Sequence, residues 1–239
     1  MSGPLRASIC SPIHNEEGNV AELIERVHAV MTPRFGAAWE QLLIDDGSSD
    51  RSAEIIRAAQ RERPTLRLLQ HPQNRGERAA WKTAFDNARG EVVALLAGDL
   101  QSPPEELPKL LDEVLVRGFD VGTGRRAGRK DGVYYWTATR VLNAYSRLVF
   151  DVPVSDVSSS FFAVRRRFVE ALPIEKNDHR YILAVLRRRA ARISEVDTEH
   201  AARSRGRSHY SRWKVLKAVP ELLEFTQRWR SGVFDGQGS

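Results

Sequence analysis

Gln41-Leu42-Leu43-Ile44-Asp45-Asp46-Gly47-Ser48-Ser49-Asp50 is an apolar run that ends on two carboxylates and then on a Gly-Ser turn. A short apolar run bounded by turn residues reads as a buried strand. The same grammar recurs where Glu91-Val92-Val93-Ala94-Leu95-Leu96-Ala97 runs into Gly98-Asp99-Leu100-Gln101-Ser102-Pro103-Pro104-Glu105. In an open α/β sheet, ligands bind in the crevice outside the carboxyl ends of the strands. Carboxylates just past two strand ends therefore point at a ligand, and the simplest is a nucleotide with a divalent cation. An oxygen-rich donor set suits Mg²⁺ or Mn²⁺.

Working outward, residues 6–12 read as a first strand and Asn19–Met31 as a helix with apolar residues at helical spacing. Gln41–Ile44 is a second strand, and a helix from Ala53 to about Arg63, capped by Asp50 or Ser52, stops at Pro64. Leu66–Leu69 is a third strand, Asn74-Arg75-Gly76 a turn, and Glu77–Ala88 a helix. Glu91–Ala97 is the fourth strand, Pro104–Arg117 a helix and Phe119–Gly122 a short strand. This alternation predicts an α/β fold with a mainly parallel sheet flanked by helices. The pattern then changes: an aromatic-rich helix over Tyr134–Val149, a strand at Phe161–Val164, a helix at His179–Arg188 and an edge strand at Ile193–Val196. A basic loop, Arg203–His209, precedes a final amphipathic helix over Trp213–Trp229.

The chain of 239 residues, 41% hydrophobic and 28% charged, is long enough for one domain with a substantial core. One cysteine, Cys10, excludes an internal disulfide framework and fits a reducing compartment. No leader pattern and no run of roughly 18 apolar residues is present, so a cytoplasmic location is expected. The net charge of +6 gathers in the C-terminal half, at Arg165–Arg167, Arg187–Arg189, Arg203, Arg205, Arg207 and Arg212. Such arginines suit phosphate groups or an anionic membrane surface, or form a solvated basic face. They lack a groove-reading or stacking motif, and the strand-end carboxylates would repel a phosphate backbone, so no nucleic-acid partner is expected.

Asn15-Glu16-Glu17 before a helix is by itself a capping arrangement, and Asp46-Gly47-Ser48-Ser49 by itself a turn. Taken together, the ordered set is more specific. Pro12-x-x-Asn15-Glu16-Glu17-x-Asn19, Asp45-Asp46-Gly47-Ser48-x-Asp50, Asn74-x-Gly76 and Asp99-Leu100-Gln101-x-Pro103-Pro104-Glu105 resemble glycosyltransferase family 2. Gly122-Thr123-Gly124-Arg125, Asp156-x-x-Ser159-Ser160-Phe161-Phe162 and Arg203-x-x-Gly206-x-Ser208 extend the likeness, over residues 7 to 217. The nearest subgroup is the dolichyl-phosphate mannose synthase and undecaprenyl-phosphate glycosyltransferase group.

The resemblance implies a Rossmann-like GT-A domain over residues 1–231, with a nucleotide-binding half (1–122), an acceptor half (123–231) and a flexible tail (232–239). It implies that Pro12, His14, Asn15, Glu16, Asp45 and Asp46 bind the nucleotide. Asp99 and Gln101 are implied metal ligands, and Asp99, Asp156, Arg125 and Arg203 the catalytic set. Arg140, Arg203 and Ser208 would hold the acceptor phosphate. The implied reaction is inverting transfer of a hexosyl unit from a nucleotide diphosphate sugar to a polyprenyl phosphate, with Mg²⁺ or Mn²⁺, peripherally at the cytoplasmic membrane face or through a membrane partner.

Three departures bear on this. Relatives usually read Asp-x-Asp where this chain has Ala97-Gly98-Asp99; Ser160 replaces the usual Gly, and His209 the usual Lys. A soluble family 2 enzyme acting on a small-molecule acceptor and a silent nucleotide-sugar-binding module are the alternatives. A phosphate oxygen is already anionic near neutral pH, so it needs alignment and charge neutralisation rather than a general base.

Overall fold

The computed structural model describes residues 4–126, 143–157, 159–201 and 213–235. Its strands are β1 (Ala7–Ile13), β2 (Trp39–Asp45), β3 (Leu66–Gln70), β4 (Val92–Leu95), β5 (Val121–Arg126), β6 (Phe162–Arg165) and β7 (Ile193–Thr198). They form one seven-stranded sheet of order β3-β2-β1-β4-β6-β5-β7. β1 pairs parallel with β2 and β4, and β2 with β3. β6 runs antiparallel to β4 and β5, while β5 and β7 are parallel. The helices are α1 (Val20–Phe35), α2 (Ser52–Gln60), α3 (Glu77–Asn87), α4 (Leu107–Leu115), α5 (whose described part covers residues 143–150), α6 (Ile182–Arg188) and α7 (Trp213–Arg230).

The central parallel strands β1, β2 and β4 are buried on both faces, as a place between two helix layers requires. β2 is buried at every position. One core cluster joins Val27, Met31 and Trp39 with Leu107, Leu110 and Leu111. The other joins Trp81, Phe85, Phe150, Phe162, Leu183 and Phe225. Among the described residues no helix is long and apolar enough to cross a membrane.

The alternation of strands and helices matches the sequence expectation, with boundary shifts that have physical causes. β4 ends at Leu95; the Leu96 amide makes one more bond to β1, to the Cys10 oxygen at 3.0 Å, before the chain turns at residues 98–99. The Pro104–Arg117 segment divides into a 3₁₀ turn, Pro104–Glu106, and α4. The largest shift is β5, expected at Phe119–Gly122 and found at Val121–Arg126. Gly122 closes the expected strand, and in the structure it and Gly124 mark close approach within β5. A Cβ on Gly122 would lie 2.6 Å from the Leu110 carbonyl oxygen, and one on Gly124 2.7 Å from Thr198 Oγ1. Tyr134, Tyr135 and Trp136, at the start of the expected aromatic-rich helix, lie outside the described residues.

Much of the C-terminal basic charge is internally paired. Asp120, buried at the start of β5, accepts from Arg167 Nη2 at 2.9 Å and from the Arg192 amide at 3.0 Å, with Arg165 Nε 3.8 Å away. Arg166 pairs with Glu170, Arg187 with Asp151 and Arg188 with Asp235. The Arg189 guanidinium reaches the Phe168 and Glu170 carbonyls. Asp120 and Arg165 sit at the strand ends opposite the acidic clusters, so this cluster serves as a structural counter-charge network rather than a phosphate cradle.

Candidate active site

The strand directions bring the chemistry to one edge. β1, β2, β3, β4, β5 and β7 all end there, and the antiparallel β6 starts there. Between β1 and β4 the strand order reverses, which is the switch point where an open sheet leaves a crevice. A cavity of about 300 Å³ occupies it. Pro12, His14 and Glu16 line it from the β1 loop, Asp46 from the β2 loop, Asn74 and Glu77 from the start of α3, and Ala97 and Asp99 from the β4 loop. Five residues implied by the motifs, Pro12, His14, Glu16, Asp46 and Asp99, thus meet in one wall. A second cavity, of about 380 Å³, is lined by Gly47, Ser48, Gln70, His71 and Pro72.

Asp46 organises the floor. Its Oδ1 accepts from the Arg75 amide at 2.9 Å and from His71 Nδ1 at 2.6 Å, and its Oδ2 accepts from the Gly76 amide at 2.8 Å. A carboxylate accepts and an amide donates, so the three bonds fix the β3–α3 loop on the end of β2. His71 Nε2 contacts Thr83 Oγ1 at 2.9 Å, carrying the chain of bonds into α3. His14 Nδ1 faces the Asp46 main-chain oxygen at 3.0 Å, and its Nε2 faces the amide nitrogens of Asn74 at 3.0 Å and Asn15 at 3.3 Å. A carbonyl can only accept and an amide NH₂ only donate, which places the ring proton on Nδ1. His71 carried no motif signal in the sequence; its spacing of 25 residues from Asp46 is visible only in the fold.

Asn15 and Asp50 clasp two loops together. Asn15, at φ 57°, donates its amide to Ser48 Oγ at 3.0 Å, and its Oδ1 accepts from the Ser49 amide at 2.8 Å. The Glu17 amide donates to Asp50 Oδ2 at 3.0 Å, the Arg51 amide to Glu17 Oε2 at 3.1 Å, and the Glu16 amide to Ser52 Oγ at 2.8 Å. Burial works against the Asp50 charge, but hydrogen bonds from Ser52 and Glu17 outweigh it and hold the carboxyl below the usual range. Ser52 therefore crosslinks the loops instead of capping α2, whose N-cap position is Arg51. Asn19 sits at the N-cap of α1, and its amide nitrogen donates to Glu16 Oε2 at 2.6 Å.

Asp45 is fully buried, accepting from the Ser48 amide at 3.1 Å and from Gln70 Nε2 at 2.8 Å; Ser48 and Gln70 line the second cavity. Gly47 permits this packing. Its φ is +67°, and a Cβ there would lie 2.4 Å from the Gln73 carbonyl carbon and 2.5 Å from the Asn74 nitrogen. Gly47→Ala is expected to cost about 2 kcal/mol or more, from the disfavoured backbone region plus displacement of the β3–α3 loop. Chemical denaturation measures this, and a variant as stable as the parent would show that the loop is not packed as described.

At the β4 end, Asp99 Oδ1 accepts from the Gln101 amide at 3.1 Å, across Leu100 at φ 60°. The Gln101 oxygen accepts from the Ala201 amide at 2.9 Å, so the chain leaving β7 passes beside this turn. Glu77, which the motifs did not mark, lines the same cavity. His179, with Nε2 3.7 Å from Glu77 Oε2, holds the Glu77 carboxyl below the usual glutamate range. Among the described residues no Lys or Arg lines the cavity, while Glu16, Asp46, Glu77 and Asp99 do. Among the described residues no group of three or more His, Cys, Asp or Glu is arranged to hold a metal ion. The donor set fits a hard divalent cation that takes one or two protein oxygens and completes its shell with phosphates and water, as Mg²⁺ does.

Arg125, at the end of β5, forms a fork with its register partner Asp197, Nε to Oδ1 at 2.6 Å and Nη2 to Oδ2 at 2.9 Å. Each member strengthens the other's charge: Asp197 lowers its own pKa through Arg125, and Arg125 rises through Asp197. Asp156 is buried in the segment before β6. Neither Arg125, Asp156 nor Gln101 is among the residues lining the 300 Å³ cavity. Arg140, Arg203 and Ser208 lie outside the described residues.

Comparison with known proteins follows this geometry. The chain is 34% identical over 220 residues to undecaprenyl-phosphate 4-deoxy-4-formamido-L-arabinose transferase of Photorhabdus laumondii, covering 91% of this chain and 67% of that protein. The proteins of the same name from Pseudomonas aeruginosa and Pectobacterium carotovorum are 33% and 35% identical, each over 90% of this chain and over 63% and 66% of their own lengths. The chain thus spans about two thirds of the length of these relatives. The crystal structure of glucosyl-3-phosphoglycerate synthase from Mycobacterium tuberculosis with Mn²⁺, uridine diphosphate and glucosyl-3-phosphoglycerate superposes with a TM-score of 0.71 at 20% identity, covering 95% of this chain and 80% of that one. That likeness establishes a GT-A type fold. The Glycosyl transferase family 2 model matches residues 8–172, most of the chain. From motif order, fold and relatives alike, the chain belongs to glycosyl transferase family 2.

Proposed function

We propose that this chain is an inverting glycosyltransferase that moves a sugar from a nucleotide diphosphate donor to a polyprenyl phosphate. The observation that carries this reading is the switch-point cavity, where the loops after β1, β2, β3 and β4 converge on Pro12, His14, Glu16, Asp46 and Asp99. The relatives' names support the acceptor class, and they name an arabinose derivative, a pentose. The donor sugar is therefore read as a glycosyl unit rather than as a hexosyl one.

In this reading the nucleotide lies along the ends of β1 and β2, with Pro12, His14 and Glu16 toward base and ribose, and the buried Asp45 supporting the base side through Ser48 and Gln70. An anionic diphosphate entering a cavity lined by Glu16, Asp46, Glu77 and Asp99 meets strong repulsion from these carboxylates. Asp99, with Gln101 beside it, would hold Mg²⁺ or Mn²⁺ there. When bound, the cation supplies neutralisation of the diphosphate charge. Ala97 leaves this chain one carboxylate short of the usual pair, so a larger share of the coordination falls to the donor's own oxygens. The acceptor phosphate oxygen, already anionic, attacks the sugar's anomeric carbon without a general base, while the bond from that carbon to the nucleoside diphosphate breaks and the diphosphate leaves. Arg125, Arg140, Arg203 and Ser208 align it and offset its charge, and arginine forks suit that task. Asp156 orients the sugar or these arginines. Membrane contact is assigned to the acceptor half.

The test is a thermal-shift screen of uridine and guanosine diphosphates with and without Mg²⁺ or Mn²⁺, followed by transfer to undecaprenyl phosphate. A ligand at 100 times its Kd stabilises the folded protein by about 2.7 kcal/mol. The expected result is a metal-dependent shift with one base and transfer to the lipid phosphate. A second reading, a nucleotide-sugar-binding module without turnover, is motivated by Ala97 in the cavity wall. A shift without product from any donor and acceptor pair would establish that reading in place of the first.

A further inference from the structure

The edge strand β7 holds an acidic side chain whose work is not explained by the cavity. Glu195 lies in register with Thr123 of β5 and reaches across to the segment before β6. Its Oε1 accepts from the Ser155 amide at 2.9 Å and from the Asp156 amide at 3.0 Å. Its Oε2 accepts from Ser155 Oγ at 2.7 Å and again from the Ser155 amide at 3.1 Å. One carboxylate therefore takes both main-chain donors and the hydroxyl of a two-residue stretch that belongs to no strand or helix. Charge-assisted bonds of this kind are the stronger ones, and two adjacent amides fix orientation as well as distance. Asn143 of α5 holds the same stretch from its other side, donating Nδ2 to the Ser155 oxygen at 2.6 Å.

The remainder of the segment is pinned to the end of β5. Ser159 Oγ donates to the Gly124 oxygen at 2.9 Å, and the Gly124 amide donates to the Phe161 oxygen at 3.0 Å. Two residues beyond Glu195, on the same face of β7, Asp197 holds the Arg125 fork. The edge strand thus grips an acidic and a cationic residue of the acceptor half from one row of side chains.

We propose that Glu195 is a positioning residue for sugar transfer, fixing the Ser155–Asp156 backbone so that Asp156 stands at the strand-end edge. This rests on the role read for Asp156 above. Glu195 does not line the cavity, so its effect runs through the segment it holds and not through donor binding. A misplacement of about 1 Å in a catalytic group costs on the order of 100-fold in rate.

The test compares Glu195→Ala, Glu195→Gln, Asp156→Ala and the Glu195→Ala/Asp156→Ala double variant in the full chain. Two readouts are used: deuterium uptake of a peptide spanning 155–161, and transfer to undecaprenyl phosphate. Glu195→Ala is expected to speed exchange in that peptide and lower kcat about 10- to 100-fold, with the donor KM and the nucleotide-induced thermal shift unchanged. Glu195→Gln, which keeps one acceptor oxygen, is expected to fall between parent and Ala, and it carries the comparison if the Ala variant does not fold. The double variant is expected to be no slower than Asp156→Ala alone. Unchanged exchange at 155–161 overturns the clamp, and losses that multiply in the double variant overturn action through Asp156. Parent-like turnover in Asp156→Ala overturns the role of that residue and this proposal with it. A parent protein inert toward lipid phosphate overturns the proposed reaction, while the exchange result still decides the clamp.

Discussion

Asp99→Asn is expected to lower kcat about a thousandfold, the scale of losing a dedicated charge-stabilising group at a reacting centre, and to leave the melting temperature nearly unchanged. The substitution is chosen for what it keeps. Asn retains the Oδ1 acceptor for the Gln101 amide, so the turn with Leu100 in the left-handed region survives. What it removes is the charge of the acidic residue that stands at the second position of the usual Asp-x-Asp. The other carboxylates of the cavity wall are committed to neighbours: Asp46 to the β3–α3 loop, Glu16 to Asn19 and Glu77 to His179. None is placed to take over when Asp99 loses its charge. The measurement is steady-state transfer with saturating donor and acceptor, alongside nucleotide binding across a Mn²⁺ titration. Turnover within threefold of the parent would remove Asp99 from the reaction.

Asp46→Ala is expected to have the largest effect on stability, about 3–5 kcal/mol, the range for removing one partner from a buried charged network. Two amides and an imidazole lose their acceptor at once, and each buried donor left unpaired costs roughly 1–3 kcal/mol. For a chain of this size that corresponds to a fall in melting temperature on the order of 10 °C. Because the loop it holds carries Asn74, Gly76 and Glu77 into the cavity, the nucleotide-dependent thermal shift is expected to disappear with it. A loss below about 1 kcal/mol in urea unfolding would mean that the loop is held by other contacts.

These two carboxylates show what was legible in the chain and what was not. The strand–helix alternation up to β4 follows from apolar runs such as Gln41–Ile44 and from the turn residues after them. The placement of Asp46 and Asp99 at strand ends follows directly from that alternation. Their division of labour does not. That Asp46 serves the loop depends on His71, Arg75 and Gly76, between 25 and 30 residues away, and no local pattern encodes which donor a buried carboxylate meets. The arginine clusters misled for the same reason. Arg165 and Arg167 read as charge for phosphate groups, an anionic membrane surface or a solvated face until the sheet brings Asp120 among them. β5 was misplaced because Gly122 and Gly124 satisfy a packing demand from α4 and β7, elements at a distance in the chain. Glu195, in a segment read only as an edge strand, carried no signal at all.

The strand order has a consequence for how the chain is made. β6 sits between β4 and β5, although it is synthesised after both. The first four strands pair with one another, whereas among the described residues β5 pairs with β6 and β7, both later in the chain. Until Arg165 leaves the ribosome, the outer rim of β4 is an open row of unpaired amides and carbonyls, the kind of edge that recruits other chains. The first four strands thus precede the rest of the sheet in synthesis, and β6 joins β5 to them only after β5 has been made. A nascent chain with β4 emerged and β6 still inside the ribosome would present the first four strands with an adhesive rim, a natural substrate for a chaperone.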